Sequence, residues 1–161
     1  MIKVGDKLPA MKLMTPGTEG PQEVDTGELF AAKTVVLFAV PGAFTPTCSA
    51  KHLPGFLEQY DALKAKGVDA IVCLAVNDVF VMGAWAASQS AGDKIIFLAD
   101  GSAMFTRALG LELDLVTRGL GVRSQRFALI AKDGIVTYLA VEQAGGFEVS
   151  RAESILEVLS A

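Results

Sequence analysis

Apolar residues in this chain are concentrated in short continuous runs, each bounded by turn residues. Runs of this kind predict strands that are buried on both faces of a sheet. Three of them occupy the first two thirds of the chain: Thr34–Val40, Val68–Val76 and Ile95–Ala99. Two later runs, Phe127–Ala131 and Ile135–Val141, flank an Asp-Gly pair, which predicts a β-hairpin.

Helical signals follow each of the three buried strands, and a further helix is predicted near the end of the chain. The predicted helices are Thr45 to about Lys66, Asn77 to about Ser90, Ala103–Leu109 and Ser150–Leu159. Pro54-Gly55 should kink or split the first of them. Ser150 and Glu153 have the spacing of a capping box at the start of the last. A short strand or hairpin is predicted at about Met11–Met14.

This order of elements predicts the fold class. A strand–helix–strand–helix–strand series, followed by a hairpin and a final helix, is typical of an α/β protein. We expect a mostly parallel central sheet with an antiparallel edge and helices on both faces. The same succession is that of a thioredoxin-like fold. With 161 residues, no internal repeat and no low-complexity segment, we expect one domain over residues 1–161.

Composition and charge narrow the possible partners and locations. Apolar residues make up 52% of the chain, and 14 basic against 18 acidic residues give a net charge of −4. This mild acidity, without basic clusters, argues against nucleic acid and membrane surfaces as partners. Two cysteines do not form a disulfide framework, and no signal peptide is apparent, so a reducing, cytoplasmic location is expected. One histidine and two separated cysteines make a poor metal site, and no cofactor is expected.

Cys48 is the residue whose position predicts reactivity most clearly. It follows the turn Pro41-Gly42 and the pair Thr45-Pro46, which is a typical helix start. In the first turn of a helix, free backbone N–H groups and the positive end of the helix dipole favour a thiolate, the nucleophilic form of cysteine. Thioredoxin-type oxidoreductases carry Cys-x-x-Cys at this place. Here Thr45 replaces the first cysteine, which excludes dithiol exchange through this motif.

The residues around Cys48 leave several roles open. Thr45 can cap the helix, and its hydroxyl can also donate its proton towards the sulfur or a bound oxygen. Pro41 can shield the sulfur from water or simply end the strand. A cationic partner is required to hold the thiolate, and spacing alone does not choose among the arginines. The candidates are Arg107, Arg118, Arg123, Arg126 and Arg151.

The sequence around Cys48 resembles a known family. Pro41-x-x-x-Thr45-x-x-Cys48 is similar to the peroxiredoxin signature, and the nine residues Pro41–Ser49 are similar to those of its type II branch, the peroxiredoxin-5 group. The resemblance spans nearly the whole chain. It also includes His52–Phe56, Leu63–Gly67, Val76–Asp78, Trp85, Leu98–Asp100, Arg123–Phe127 and Asp133-Gly134.

The resemblance implies both a site and a reaction. Cys48 matches the cysteine that attacks the peroxide, and Thr45 matches the threonine that hydrogen-bonds it. Pro41 matches the shielding proline, and Arg126 matches the arginine that orients the thiolate and the O–O bond. The implied function is a thiol-dependent peroxidase that reduces hydrogen peroxide and alkyl hydroperoxides through a Cys48 sulfenic acid. The family also implies a homodimer.

Regeneration of Cys48 is expected to require an external thiol. Family members that resolve within one chain carry a further cysteine in the late loop, but Gly145–Ser150 contains none. The expected mechanism is therefore of the 1-Cys type, with glutathione and a glutaredoxin, or a thioredoxin, as reductant. Two rival functions use the same cysteine. One is another thiol chemistry, such as peroxynitrite reduction or thiol transfer, and the other is a non-enzymatic redox sensor or chaperone-like scaffold.

Two buried-looking polar side chains carry weaker signals. Cys73 lies in the middle of an apolar run and should pack in the core without taking part in turnover. His52 lies four residues after Cys48, on the same helical face, and should pack there or support the site indirectly.

Two aromatic residues and one loop complete the expectations. Trp85 and Phe80, on the helix after Asn77, should pack in the core or at a dimer interface. The apolar, glycine-broken segment Leu111–Gly121 should form one wall of the substrate pocket. Such a wall would suit organic hydroperoxides as well as hydrogen peroxide.

Overall fold

A computed structural model describes residues 1–161 and contains one seven-stranded sheet and one two-stranded sheet. The strands are β1 Lys12–Gly17, β2 Gly20–Asp25, β3 Thr34–Val40, β4 Ala70–Ala75, β5 Ile96–Ala99, β6 Glu112–Leu115, β7 Gly121–Ser124, β8 Phe127–Lys132 and β9 Ile135–Val141. The order across the large sheet is β2-β1-β5-β4-β3-β8-β9. Strands β6 and β7 form the small sheet.

The large sheet is parallel at its centre and antiparallel on both sides. Strand β4 pairs parallel with β3 and with β5. Strands β8 and β9 extend the sheet antiparallel on one side, and β1 and β2 do so on the other. The predicted α/β class is confirmed, but a mostly parallel sheet with one antiparallel edge is not what forms. The N-terminal hairpin adds a second antiparallel edge, so the sheet is mixed.

Helices cover both faces of the large sheet. They are α1 Thr26–Phe30, α2 Leu53–Glu58, α3 Tyr60–Ala65, α4 Val79–Ser88, α5 Met104–Leu109 and α6 Ala152–Ser160. A π-helical turn, Cys48–His52, precedes α2, and a 3₁₀ turn, Val116–Arg118, follows β6. None of the helices has the length and apolar character needed to cross a membrane.

The first predicted helix is interrupted, but not at Pro54-Gly55. Pro54 lies in the first turn of α2, where its missing N–H costs no hydrogen bond. The irregularities lie on either side of it. The π-helical turn precedes Pro54, and Gln59 separates α2 from α3.

The predicted capping box of the last helix is wrong. Helix α6 begins after Arg151, which makes no side-chain capping bond. The hydroxyl of Ser150 instead donates to Oε2 of Glu142 at 2.7 Å. The Ser150 hydroxyl, which the sequence spacing predicts as the cap of the last helix, is therefore bonded to the carboxylate of Glu142 at the end of β9.

Two other turn predictions are confirmed. Asp78 caps α4, and its Oδ1 accepts from the N–H of Val81 at 2.8 Å. The β8–β9 hairpin turns through Asp133 and Gly134, whose φ angles are 51° and 76°. Positive φ at both central residues is the geometry that an Asp-Gly pair favours in a tight hairpin.

Side chains of the central strands alternate between two hydrophobic layers. On one face Phe38 of β3 packs in a cluster with Phe56 of α2 and Ile155 of α6. On the other face Leu37 packs in a cluster with Phe105 of α5. Both cysteines of the chain belong to the first layer.

Candidate active site

Cys48 begins the π-helical turn that follows β3. The chain is helical from Pro46 onward, so Cys48 lies in the first turn as predicted. The N–H of Leu53 donates to the carbonyl of Cys48, which is the wider hydrogen bond that defines a π turn. Single π turns within helices occur frequently at functional sites.

Ser49 connects this turn to helix α4. The indole Nε1 of Trp85 donates to Ser49 Oγ at 2.9 Å, and Nε2 of Gln89 donates to the Ser49 carbonyl at 3.0 Å. Trp85 is fully buried, which confirms core packing for this residue. Phe80 of the same helix is 74% exposed, so a core role for it is wrong.

Strand register brings Arg126 to Cys48. Strand β8 pairs antiparallel with β3, with Phe127 opposite Ala39 near the end of β3. Arg126 precedes Phe127 and therefore lies beside the segment that leads to Cys48. Its Nη2 donates to the Sγ of Cys48 at 3.0 Å. A guanidinium in this position can donate a charge-assisted hydrogen bond to a thiolate.

The other four candidate arginines make no hydrogen bond to Cys48. Arg123 donates to the carbonyls of Leu120 and Val76, which fixes loops at the end of the sheet. Arg118 lines the cavity beside the site, whereas Arg107 lines a groove at the N-terminus and Arg151 precedes α6.

His52 contacts Arg126 rather than the sulfur. Nη1 of Arg126 donates to Nδ1 of His52 at 2.7 Å. Since Nδ1 accepts, the ring proton of the neutral imidazole lies on Nε2, which is 3.0 Å from the carbonyl of Ser150 and donates to it. Burial, and secondly the charge of Arg126, lower the pKa of His52 to about 3. His52 is therefore neutral at physiological pH.

Glu142 is the part of the site that sequence reasoning missed. It lies at the end of β9, beside Arg126, because its N–H donates to the Arg126 carbonyl at 2.9 Å. Its Oε2 accepts the hydroxyl of Ser150 and the backbone N–H groups of Glu148, Val149 and Ser150. Partial burial acts to raise the pKa of Glu142, but these hydrogen bonds outweigh it and hold the pKa below its usual value.

Thr45 and Pro41 lie in the loop between β3 and the π-helical turn. The hydroxyl of Thr45 donates to the carbonyl of Gly42 at 2.7 Å, and therefore not towards the sulfur, which was one of its predicted roles. The structure shows no backbone N–H of the helix donating to the Thr45 oxygen, so the predicted cap bond is not formed either. With its proton used in the loop, the Thr45 oxygen is left as an acceptor. Pro41 lines the neighbouring cavity.

A cavity of about 740 Å³ opens beside the site. Pro41, Thr47 and Arg126 line it where it approaches the fully buried Cys48. Leu113 and Leu115 line it as well, so part of the segment Leu111–Gly121 forms a wall of this cavity. Most of the other lining residues are polar, so the cavity is less apolar than predicted.

Cys73 lies in the middle of β4, away from any polar partner. It is fully buried, with Phe38 and Phe97 opposite it on the neighbouring strands. Burial raises the pKa of the Cys73 thiol well above its usual value. This environment matches the predicted core packing.

Comparisons with known proteins agree with this geometry. A protein-family model described as Redoxin matches residues 3–156. Peroxiredoxin-2C of Oryza sativa subsp. japonica is 53% identical over 159 residues, covering 98% of each chain. The structure of reduced Prx3 from Vibrio vulnificus in complex with hydrogen peroxide has 55% identity and a TM-score of 0.94, covering 99% of both chains. Plasmodium falciparum antioxidant protein, a 1-Cys peroxiredoxin, has 32% identity and a TM-score of 0.92, also covering 99% of both chains.

These relatives share the thioredoxin-like fold that the order of elements predicted. Full-length similarity near 50% identity extends from the sheet to the segment around Cys48 and the segment around Arg126. The chain therefore belongs to the redoxin family, as a thiol-dependent peroxidase of the type II, peroxiredoxin-5 group of peroxiredoxins.

Proposed function

We propose that Cys48 is the nucleophile that reduces hydrogen peroxide and alkyl hydroperoxides. The thiolate sulfur forms a bond to one peroxide oxygen while the O–O bond breaks. The second oxygen leaves with the bonding electron pair and takes up a proton to form water or an alcohol. The peroxide is reduced by two electrons and the sulfur is oxidised to a sulfenic acid.

The observation that carries this proposal is the 3.0 Å contact from Nη2 of Arg126 to the Sγ of Cys48. Arg126 also lines the cavity, so one guanidinium faces both the sulfur and the space that a substrate enters. As negative charge moves from sulfur to the leaving oxygen, a fixed cation at this point stabilises the transition state by about 3 kcal/mol, the usual contribution of one such donor. The Vibrio vulnificus relative, crystallised reduced with hydrogen peroxide, supports a peroxide as substrate.

Thr45 and Pro41 are proposed to place the peroxide. The Thr45 hydroxyl donates to Gly42, so its oxygen can accept a hydrogen bond from the peroxide O–H. Pro41 lines the cavity and has no backbone N–H, so water that enters there finds no hydrogen-bond donor at this position. Leu113 and Leu115 leave apolar surface for the alkyl group of an organic hydroperoxide.

An external thiol is proposed to regenerate Cys48. The loop from Gln143 to Ser150 contains no cysteine, and Cys73 is fully buried in β4. A sulfenic acid formed on Cys48 would be open only to a reductant entering through the cavity. We propose a 1-Cys type mechanism with glutathione and a glutaredoxin, or a thioredoxin, as this reductant. The cytoplasmic location stays a prediction.

A homodimer is proposed at the end of the sheet that carries the site. Phe80 is 74% exposed and Phe44 is 54% exposed. The two lie at the same end because the N–H of Ala43 donates to Oδ1 of Asn77, next to the start of α4. Exposed aromatic side chains are typical of protein interfaces. Sedimentation of Phe80→Asp beside the unmodified protein tests this, with a monomer expected for the variant.

The experiment that tests the reaction is mass spectrometry of the reduced protein within seconds of adding one equivalent of hydrogen peroxide. Peptide mapping then locates the change. One added oxygen on Cys48 alone supports the proposal, and a Cys48–Cys73 disulfide contradicts the 1-Cys mechanism. An unmodified Cys48 in folded protein contradicts the peroxidase role. The redox-sensor alternative would be favoured if Cys48 is oxidised by peroxide but is reduced only slowly by every thiol reductant tested.

A further inference from the structure

Arg126 lacks the carboxylate partner that usually fixes a partly buried arginine. The chain's two salt bridges, Lys3–Asp6 and Lys12–Glu23, both lie elsewhere. Arg126 is held by the neutral ring of His52 at 2.7 Å and by the face of Phe147 at 5.9 Å. A neutral acceptor leaves the positive charge of Arg126 undiminished for the sulfur, but it orients the guanidinium only if the ring itself is fixed.

His52 is fixed by one backbone carbonyl. Its Nε2 donates to the carbonyl of Ser150, which holds the ring in the tautomer whose Nδ1 can accept from Arg126. If the ring instead carried its proton on Nδ1, two donors would face each other and the bond from Arg126 would be lost. The position of Ser150 therefore decides whether Arg126 has an acceptor.

Ser150 is in turn fixed by Glu142. Oε2 of Glu142 accepts from the Ser150 hydroxyl at 2.7 Å and from its N–H at 2.9 Å. It also accepts from the N–H groups of Glu148 and Val149, at 2.8 and 2.9 Å. No other side chain of the loop between β9 and α6 binds Ser150. One oxygen of the Glu142 carboxylate therefore holds the loop by four hydrogen bonds and fixes the position of the Ser150 carbonyl, which accepts from His52.

We propose that Glu142 is a positioning residue for the peroxidase site, acting on Cys48 through Ser150, His52 and Arg126. The inference rests on the proposed roles of Cys48 and Arg126 and adds the residues that hold them. The Glu142 side chain makes no hydrogen bond to the Cys48 sulfur or to the Arg126 guanidinium, although Glu142 lines the cavity. Its Oε2 acts as a hydrogen-bond acceptor for the loop, so its removal should disorient Arg126 while the Cys48 thiol and the guanidinium both remain.

The single histidine of the chain gives a direct spectroscopic test. With ¹⁵N-labelled histidine, the only labelled ring is that of His52, and its two nitrogen signals report which tautomer or protonation state the ring adopts. In the unmodified, reduced protein at neutral pH we expect one neutral form, protonated on Nε2. A spectrum of the Nδ1–H tautomer or of an imidazolium would overturn the proposal without any substitution.

The second readout is the second-order rate constant for oxidation of Cys48 by hydrogen peroxide, measured by rapid quenching. For Glu142→Ala we expect a loss of about tenfold, below the roughly 100-fold that a 1 Å misplacement of a catalytic group can cost, because Arg126 and its charge remain in place. The His52 signals should move at the same time, towards an average of two tautomers. Glu142→Gln keeps one acceptor oxygen and should restore both readouts most of the way.

Glu148→Ala is the matched control. Glu148 lies on the same loop and carries the same charge, but its side chain is exposed and makes no hydrogen bond. We expect it to change neither readout. A slower Glu142→Ala with unmoved His52 signals, moved signals with an unchanged rate, or equal effects of Glu148→Ala would each overturn the proposal. If the unmodified protein is not oxidised at Cys48, the proposed function fails instead, whatever the His52 spectrum.

Discussion

The two cysteines lie in the same hydrophobic layer, yet their surroundings are opposite. Both are fully buried. Cys73 lies within a regular strand, paired with β3 on one side and β5 on the other, in a cluster of apolar side chains. Cys48 lies where a strand has ended and a helix begins irregularly, and an arginine donates to its sulfur.

Burial is therefore the same for the two thiols, and their other surroundings distinguish them. In β4, burial raises the pKa of Cys73 and keeps the thiol protonated. Next to the π-helical turn, the end of β3 lies beside the start of β8, which in turn lies beside the end of β9. This strand register brings the guanidinium of Arg126 to the Cys48 sulfur. We therefore expect reactivity at the junction of elements, where Cys48 lies, and an inert thiol in the regular interior of β4, where Cys73 lies. Four measurements test this difference between the two cysteines.

The largest effect is expected from exchanging the nucleophile itself. Cys48→Ser replaces the sulfur by a hydroxyl that is not ionised at neutral pH, so peroxide-dependent consumption of a thiol reductant should fall to background. The same assay on Cys73→Ser supplies the contrast. Peroxidase activity in folded Cys48→Ser, beyond the rate without protein, would contradict the assignment of the nucleophile.

The next effect concerns the cation. Arg126→Lys keeps the charge, but a single ammonium cannot donate to both Cys48 Sγ and His52 Nδ1 in the geometry of the guanidinium fork. We expect the rate constant for oxidation of Cys48 to fall about 100-fold. Arg107→Lys, at the N-terminal groove, is the matched control and should leave the rate unchanged. Similar rates for both variants would remove Arg126 from the site.

The third effect is on the pH dependence of stability. The pKa of His52 is about 3 in the folded chain and near 6.5 when unfolded, so between these values only the unfolded chain binds the proton. The stability that His52 contributes is complete above pH 6.5 and is lost as the pH falls towards 3. Urea unfolding should show a loss of about 1 kcal/mol between pH 6 and pH 5. His52→Gln, which does not titrate, should be flat in that interval, and an equal slope in both proteins would contradict a buried neutral ring.

The smallest effect on activity is expected at Cys73. Cys73→Ser should keep turnover within about twofold, although an unpaired hydroxyl in β4 should lower the free energy of unfolding by about 1–3 kcal/mol. Cys73→Ala avoids the buried hydroxyl and separates the two consequences. A folded Cys73→Ala variant with much reduced turnover would show that Cys73 takes part in the reaction, and the contrast between the cysteines would then fail.

Much of the fold could be predicted because the signals were local. Apolar runs gave the central strands, and the Asp-Gly pair gave the hairpin of β8 and β9. The N-terminal strand or hairpin was predicted at about Met11–Met14 and is present as β1 and β2, but its place in the sheet was not predicted, because the pairing of β1 with β5 joins distant segments. The π-helical turn was missed because no local pattern indicates it, and the α4 side chains that bond Ser49 within it come from a distant segment of the chain.

The site divides in the same way. Cys48 could be placed at a helix start from its own neighbours. Arg126 could be preferred to Arg123 only through the family resemblance, because the register of β8 on β3 is a long-range property. Glu142 left no pattern in the sequence at all. Its partners are mostly backbone N–H groups, which any residue supplies, so only the path of the loop shows what the carboxylate does.

The hydrogen bond from Trp85 to Ser49 has a practical consequence. The chain contains one tryptophan, and its indole N–H ends on the residue that follows Cys48. Any movement of that turn on oxidation changes the hydrogen bonding of the only indole in the protein. The intrinsic tryptophan fluorescence of the unlabelled protein can therefore be used to follow such a movement as Cys48 is oxidised, with Trp85→Phe as the blank.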